Sequence, residues 1–276
     1  GGYIFEYLEN KEEATRYFRQ VLAKSQDEYI TLSAGAGLWR QGKSLQAENL
    51  WLTGLAADAA PLTLIAKMRN HTSTVSHAPT LDKIIAQFLF DTSWLSKDSY
   101  HKNLTIARAH LAISINPDLD AAHMALAKWY LNANNISRAE THLNSINEDA
   151  PLALRRRLLQ LALAEEIGKT AEALANLNRE LTSNEDVSAD ALATSMKIEK
   201  GLLAQAGGDM WRRNNACIKA LPFYQLALDN GLDSYRLHRS MGICFEQTEN
   251  DAQAEKALRR AIELKPNDAI SLNHQG

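Results

Sequence analysis

Apolar residues recur at helical spacing along most of the 276-residue chain. The clearest stretch is "YRLHRSMGICFEQTENDAQAEKALRRAIELKPND", residues 235–268, in which two apolar helical runs flank the polar segment "EQTEND". Asn250 and Gln253 have the spacing of a helix N-cap and its capping-box partner, and Pro266 closes the second run. The pattern predicts two antiparallel helices joined by a tight turn within about 34 residues, which is one unit of an α-solenoid.

The same stretch resembles the tetratricopeptide-repeat (TPR) family. With Tyr235 as position 1, the family's signature positions 8, 20, 24, 27 and 32 hold Gly242, Ala254, Leu258, Ala261 and Pro266. Small residues at such positions let two helices cross closely, and large ones fill the gap beside them. Units that begin at Glu28, Asp120 and Leu154 repeat the frame, and both ends of the chain fall inside a unit. The resemblance implies an all-α, right-handed α-solenoid of roughly seven antiparallel helix pairs.

Two stretches interrupt this repeat. Residues 70–80 are polar and β-branched without helical period, and residues 201–219 carry extra residues before the next recognisable helix. We interpret both as neutral insertions, although breaks in a solenoid also serve as sites of changed curvature or partner contact. The predicted organisation is therefore helix pairs over 1–69, an irregular loop over 70–80, central repeats over 81–200, a divergent insertion over 201–219 and C-terminal repeats over 220–276, the last one cut short.

The stretch "GAGLWRQGKS", residues 35–44, spells G-x-x-x-x-G-K-S, which is the pattern of a phosphate-binding P-loop. Gly42, Lys43 and Ser44 fall at repeat positions 15 to 17, the turn between paired helices, and residues 168–170 read "GKT" at the same turn of another unit. Gly allows the left-handed conformation that ends one helix, and Ser or Thr caps the next. We therefore predict turn chemistry here, and no nucleotide or other cofactor.

Composition narrows the functional classes only slightly. A formal net charge of −3 gives no reason to expect nucleic acid as a partner, and the longest apolar runs, such as residues 88–90, are too short to span a bilayer. No signal peptide is visible at the start, and the compartment stays open between periplasm and cytoplasm. For Cys217 and Cys244 we favour two buried thiols over the alternative of one disulfide.

No arrangement of residues indicates catalysis or metal binding. Eight histidines occur. His71 and His77 share the polar loop without further ligands, and His101, His110 and His123 fall on different helix faces or turns without an H-x-x-x-H pair. No G-x-S-x-G motif is present. We predict no catalytic residue, no metal site and no enzymatic activity.

The resemblance implies that the first helix of each unit lines a concave groove. The groove positions combine apolar residues with arginines, which suits an extended or helical peptide carrying acidic and apolar side chains. The alternative is that these arginines are merely solvated. The candidate partner-binding residues are Met124, Lys128, Arg155, Leu158, Glu165, Arg236, Arg239 and Glu246.

By this resemblance the chain is a non-catalytic scaffold or adaptor for a protein or peptide partner, without nucleic-acid binding or membrane insertion. It looks like the divergent bacterial members, which commonly serve envelope assembly or secretion. Two alternatives stay open. One is a homo-oligomeric scaffold whose terminal repeat faces bind copies of the chain, and the other is the substrate-recruiting arm of an enzyme whose catalytic domain lies outside these residues.

Overall fold

A computed structural model of the chain describes residues 2–24, 27–55, 61–70, 79–94, 102–148, 150–182 and 191–267. Fifteen α-helices, and no β-strand, lie within these ranges. The chain divides into two compact units, residues 1–156 (unit 1) and 157–276 (unit 2), with the boundary inside one helix. The prediction of an all-α fold is confirmed.

Unit 1 begins with five helices that include two complete hairpins. They are α1 (Gly2–Tyr7), α2 (Lys11–Lys24), α3 (Glu28–Arg40), α4 (Ser44–Gly54) and α5 (Pro61–Arg69). Two further hairpins and the start of the boundary helix follow. They are α6 (Leu81–Trp94), α7 (Lys102–Ile115), α8 (Asp120–Asn132), α9 (Ile136–Asn144) and α10 (Ala153–Glu166).

Unit 2 contains the rest of α10 and five more helices. They are α11 (Thr170–Leu181), α12 (Ala191–Arg213), α13 (Cys217–Asp229), α14 (Tyr235–Gln247) and α15 (Asp251–Leu264).

Neighbouring helices pack as pairs. In unit 1, α1 packs on α2, α3 on α4, α6 on α7 and α8 on α9, and in unit 2, α12 packs on α13 and α14 on α15. In five of these pairs the turn lies within the described residues and is only three residues long, which forces the two helices to run antiparallel. The predicted antiparallel packing is therefore confirmed for α1–α2, α3–α4, α8–α9, α12–α13 and α14–α15.

The described turns inside the pairs share one backbone motif, and the turn between α10 and α11 has it as well. One residue of each adopts a positive φ between 53° and 77°: Glu9, Asn134, Asn215 and Glu249, together with Gly42 and Gly168. The next amide then donates to the carbonyl five residues earlier, as from Lys43 to Leu38 at 3.0 Å. This is the Schellman ending of a helix, in which a left-handed residue satisfies the last carbonyls. The G-K-[ST] sequences are therefore helix-ending turns, as predicted.

The predicted capping details are only partly right. Ser44 and Thr170 are the first residues of α4 and α11, and the N-cap positions are Lys43 and Lys169, which make no side-chain cap bond. The capping role of Ser and Thr was wrong, because the Schellman turn places the lysine one residue ahead of them at the cap. Asn250 does occupy the N-cap of α15, but its side chain makes no cap bond.

The signature positions pack as the repeat frame requires. A Cβ added at Gly35 would lie 2.3 Å from Nε1 of Trp51, and one at Gly242 would lie 2.6 Å from Cγ of Leu258. Position 8 of a unit thus touches position 24 in both hairpins. Five alanines at position 20 are buried, namely Ala14, Ala47, Ala139, Ala220 and Ala254, whereas Ala173 of the unit from Leu154 is half-buried. Only a small residue fits where the paired helices cross.

Residues 201–213, which were predicted to belong to an insertion, form the second half of α12. A Cβ added at Gly208 would lie 2.4 Å from Cε1 of Tyr224, which is the same contact that Gly35 has with Trp51. This stretch therefore has the geometry of a repeat's first helix. Most of the predicted loop, residues 71–78, and the cut repeat after residue 267 lie outside the described residues.

The two cysteines form a disulfide. Cys217 in the first turn of α13 and Cys244 in α14 have Cα atoms 5.0 Å apart. The expectation of two thiols was wrong, because helical periodicity places both residues on buried faces but does not say that α13 and α14 bring those faces together. The bridge links one helix pair to the next within unit 2.

Candidate functional site

Arg155, a predicted groove residue, lies in an ion pair inside unit 1. Its guanidinium in α10 donates to both carboxylate oxygens of Glu28 in α3, at 2.5 and 2.7 Å, across 127 residues of sequence. The Arg155 side chain is only 4% exposed. A bidentate, largely desolvated pair fixes the relative position of two helices. The burial of Arg155 therefore does not support its predicted role in partner binding.

The other two candidates in unit 1 are also drawn inward. Met124 is fully buried in α8. Lys128 is half-buried, with its ammonium 6.0 Å from the ring centroid of Tyr29 in α3. Side chains of α8 and α10 thus reach α3 on the inner side of unit 1.

What remains of that inner surface is a cavity of about 380 Å³. Tyr3, Tyr29 and Arg40 line one side, and Lys83 and Asp120 lie on others. The Arg40 guanidinium contacts the Glu6 carboxylate at 2.7 Å, and both side chains are less than 10% exposed. This second buried ion pair compensates the charge of Arg40 within unit 1.

Two carboxyl groups near the inner cavity have shifted acidities. Burial raises the pKa of Asp120 to about 6 and that of Asp91 to about 7. The Gln87 amide donates to Asp91 at 2.7 Å, and the backbone amide of Asn147 donates to Asp120 at 3.1 Å. Asp120 therefore holds a hydrogen bond to a neighbouring segment, and Asp91 holds one within α6, so both groups have structural partners.

In unit 2, two of the candidates on α10 have fixed surroundings. Leu158 is half-buried. The Glu165 carboxylate accepts hydrogen bonds from Arg213 at 2.6 Å and from the side-chain amide of Asn214 at 3.1 Å. Glu165 therefore connects α10 to the end of α12, and its charge is compensated within the unit.

The remaining candidates, Arg236, Arg239 and Glu246, lie on α14. Arg236 is exposed, whereas Arg239 and Glu246 are half-buried. Arg236 and Arg239 each place the guanidinium carbon 5.8 Å from the ring centroid of Tyr235, at the start of the same helix. The two predicted arginines are thus brought to one aromatic side chain.

A third cation joins them from the next helix. Lys265, just past the end of α15, places its ammonium 4.3 Å from the Tyr235 ring centroid. The Tyr235 hydroxyl accepts from Arg236 Nε at 3.1 Å and from Lys265 Nζ at 3.3 Å. These two donors lower the pKa of Tyr235. We call Tyr235, Arg236, Arg239 and Lys265 the Tyr235 cluster.

Sequence reasoning missed Tyr235 and Lys265 as members of this surface. Groove positions were taken from the first helix of the repeat alone. The length of the repeat could have indicated them, because in an antiparallel hairpin of about 34 residues the end of the second helix lies beside the start of the first. Lys265 directly precedes the helix-ending Pro266 and therefore lies beside position 1.

The fold can be assigned from these observations. Antiparallel hairpins with a shared Schellman turn, a small residue at position 8 against a large one at position 24, and a buried alanine at position 20 recur through the chain. The chain has a TPR-like fold.

Comparisons with known proteins give structural likeness only. No protein-family model and no curated protein sequence matches the chain. A TPR protein from Parabacteroides merdae is 14% identical, with 99% of this chain and 94% of that chain covered and a TM-score of 0.45. The C-terminal part of a TPR protein from Cytophaga hutchinsonii is 9% identical over 100% and 98%, with a TM-score of 0.49. PilF from Pseudomonas aeruginosa is 14% identical over 96% and 98%, with a TM-score of 0.46. Because these scores lie below 0.5, the fold assignment rests on the chain's own helix pairs.

The TPR-like packing also brings histidines together. His110 of α7 and His142 of α9 lie beside Tyr130, and His123 of α8 lies beside His142, although the sequence placed His110 and His123 on different helix faces or turns. His101 lies outside the described residues. Nδ1 of His123 lies 3.1 Å from Nδ1 of His142. No group of three potential ligands within the described ranges could hold a metal ion.

A helix that crosses a bilayer must be both long and apolar. None of the described helices combines these two properties.

Proposed function

We propose that this chain is a non-catalytic scaffold that binds an acidic segment of a partner protein through the Tyr235 cluster. The observation that carries the proposal is that Arg236 in α14 and Lys265, just past the end of α15, both donate to the hydroxyl of Tyr235. Side chains with like charges repel one another, and a neutral acceptor compensates them only in part. A carboxylate placed there would gain charge-assisted hydrogen bonds from both donors.

The surroundings favour an acidic peptide over a neutral one. The Asp209 carboxylate attracts Arg236 electrostatically, but its side-chain hydrogen bonds go to the hydroxyls of Tyr224 and Ser240, at 2.9 and 2.8 Å. The exposed Arg236 and Lys265 extend into solvent beside the Tyr235 ring. Complementary charge would speed the encounter with an acidic segment, and the aromatic ring offers a surface for an apolar side chain next to it.

The proposed setting is an oxidising compartment, such as that of proteins in bacterial envelope assembly or secretion. Disulfides persist mainly outside the reducing cytosol, and the Cys217–Cys244 bridge supports this choice over a cytoplasmic one. Alkylation of unfolded protein isolated from its native cells tests this part separately. We expect no reactive thiol before reduction, and two reactive thiols per chain at isolation would contradict the proposed setting.

The scaffold proposal is tested by quantitative affinity capture from native extract. The parent chain is compared with the variant Arg236→Glu/Lys265→Glu, and the matched control is Lys256→Glu/Arg259→Glu, which makes the same charge change on exposed positions of α15. We expect a partner with an acidic segment that the parent and the control retain and the cluster variant loses.

Two outcomes would contradict the proposal. A partner set that is identical for all three proteins would exclude the Tyr235 cluster as the contact. If only copies of this chain are captured, the chain self-associates, and a mass that rises with concentration in solution would establish that alternative. Arg155 is left unchanged throughout, because its ion pair with Glu28 serves the fold of unit 1.

A further inference from the structure

A second cavity in unit 1 lies apart from the inner cavity, where α7 meets the turn between α8 and α9. Its volume is about 410 Å³, which is within the usual range of about 300–1,000 Å³ for small-molecule sites. Ile106 and Trp129 supply apolar wall, and Asn103 and Asn135 supply amide groups. Arg138 is its one charged lining residue among those the structure describes.

A hydrogen-bond chain fixes the floor of this cavity. Arg138 Nη1 lies 3.3 Å from the Tyr130 hydroxyl, which lies 3.0 Å from Nε2 of His110. A guanidinium can only donate, so the Tyr130 oxygen accepts from Arg138. Burial and the nearby Arg138 charge both lower the pKa of His110, which favours its neutral ring; in the tautomer protonated at Nδ1, the Nε2 atom accepts from the Tyr130 O–H.

Among the described residues, no carboxylate pairs with the Arg138 guanidinium. Its side-chain contacts there are the Tyr130 hydroxyl and the Tyr130 ring, whose centroid lies 5.4 Å from the guanidinium carbon. The buried Tyr130 orients the planar guanidinium but supplies no carboxylate to compensate its charge. A guanidinium has five N–H donors, and within the described part of the chain one of them is used.

We propose that this cavity, the Arg138 pocket, binds a small organic carboxylate, with the carboxylate on Arg138 and the apolar body against Trp129 and Ile106. A planar monoanion matches a single planar cation in both charge and geometry. The carboxylate could belong to a free acid or to the C-terminus of a peptide, since both present the same group to the pocket.

The test uses nuclear magnetic resonance of the Trp129 indole N–H in the full chain, assigned with Trp129→Phe. Phenylacetate is the charged probe, and phenylacetamide has the same shape without the charge. We expect phenylacetate to shift the Trp129 resonance with a Kd of about 1 mM and phenylacetamide to bind at least about tenfold more weakly. The tripeptide Gly-Gly-Phe is compared with its C-terminally amidated form to test the peptide source. Tighter binding of the free-carboxyl form would show that the pocket accepts a peptide C-terminus, and equal binding of the two forms would leave a free acid as the source.

Arg138→Gln removes the charge at an exposed position, and Arg179→Gln, on exposed α11, is the matched control. We expect Arg138→Gln to lose the preference for phenylacetate over phenylacetamide and Arg179→Gln to keep it, with unchanged circular dichroism in both. The proposal is overturned if phenylacetate causes no shift up to 20 mM (about twenty times the expected Kd), if the amide binds equally well, or if Arg138→Gln retains the preference.

Discussion

The ion pair between Arg155 and Glu28 gives the sharpest test of how unit 1 is held together. Arg155→Met keeps the length and packing of the side chain but removes its charge. The Glu28 carboxylate, whose side chain is 27% exposed, would then lose both hydrogen bonds of the pair. The variant therefore measures what the pair contributes between two helices that lie 127 residues apart in sequence.

The magnitude follows from the burial of the two partners. Removing one member of a fully buried pair costs about 3–5 kcal/mol, whereas exposed pairs contribute about 0–1 kcal/mol. Arg155 is buried, but Glu28 keeps a quarter of its exposure and can be partly solvated by water. We therefore expect Arg155→Met to destabilise unit 1 by about 2–3 kcal/mol.

The assay is urea unfolding followed by tryptophan fluorescence. Four of the five tryptophans lie in unit 1, so its transition dominates the signal. With a slope of about 2 kcal/mol per molar urea, the midpoint should fall by about 1–1.5 M. The double-mutant cycle with Glu28→Gln should give a coupling energy above about 1 kcal/mol.

The reasoning would be refuted by a loss below about 0.5 kcal/mol, the size expected for an ordinary surface substitution. It would also be refuted by a coupling energy near zero. Reduced partner capture by Arg155→Met at unchanged stability would restore the view that this arginine contacts a partner.

Three further predictions concern acidity, turn geometry and the disulfide. Burial raises the pKa of Asp91 to about 7 in the folded protein, whereas the unfolded chain releases this proton near pH 4. The free energy of unfolding should therefore fall as the pH rises from about 4 to 7. Asp91→Asn should stabilise the protein by on the order of 2 kcal/mol at pH 8.5 and by little at pH 4, as measured by urea unfolding. Gly42→Ala should lower the free energy of unfolding by about 1 kcal/mol, because alanine is strained at a φ of +77°. An added Cβ meets no atom within 4 Å, so this loss would come from the backbone alone, and an unchanged unfolding midpoint would disprove the strain argument. Cys217→Ser/Cys244→Ser should destabilise unit 2 by about 3 kcal/mol, and equal thermal stability with and without a reducing agent would argue against a structural bridge.

The fold was largely predictable from the sequence because each signature position has a local packing reason. Gly35 against Trp51 and Gly242 against Leu258 repeat at a fixed spacing, so one frame identifies both hairpins. Residues 201–219 were predicted as a divergent insertion, but an added Cβ at Gly208 would meet Tyr224 in the same way. Counted back from Tyr224 at position 24, Gly208 stands at position 8, so the frame extends into this stretch.

The candidate surfaces were less predictable because they depend on which helices meet. Arg155 has the spacing of a groove residue, but its burial depends on the ion pair with Glu28, which the fold of unit 1 brings within 2.7 Å. Lys265 joins Arg236 at Tyr235 for the same kind of reason. Helical periodicity gives the face of a residue within its own helix but not the partner across from it.

The most direct test of the scaffold account is the affinity of the captured partner's acidic segment, as a fluorescent peptide, for the full chain. Anisotropy would be measured at several salt concentrations with the parent, Arg236→Glu/Lys265→Glu and the control Lys256→Glu/Arg259→Glu. The account predicts that salt and the cluster variant each weaken binding by about tenfold or more, while the control binds like the parent. Binding that is independent of salt and equal in all three proteins would contradict it.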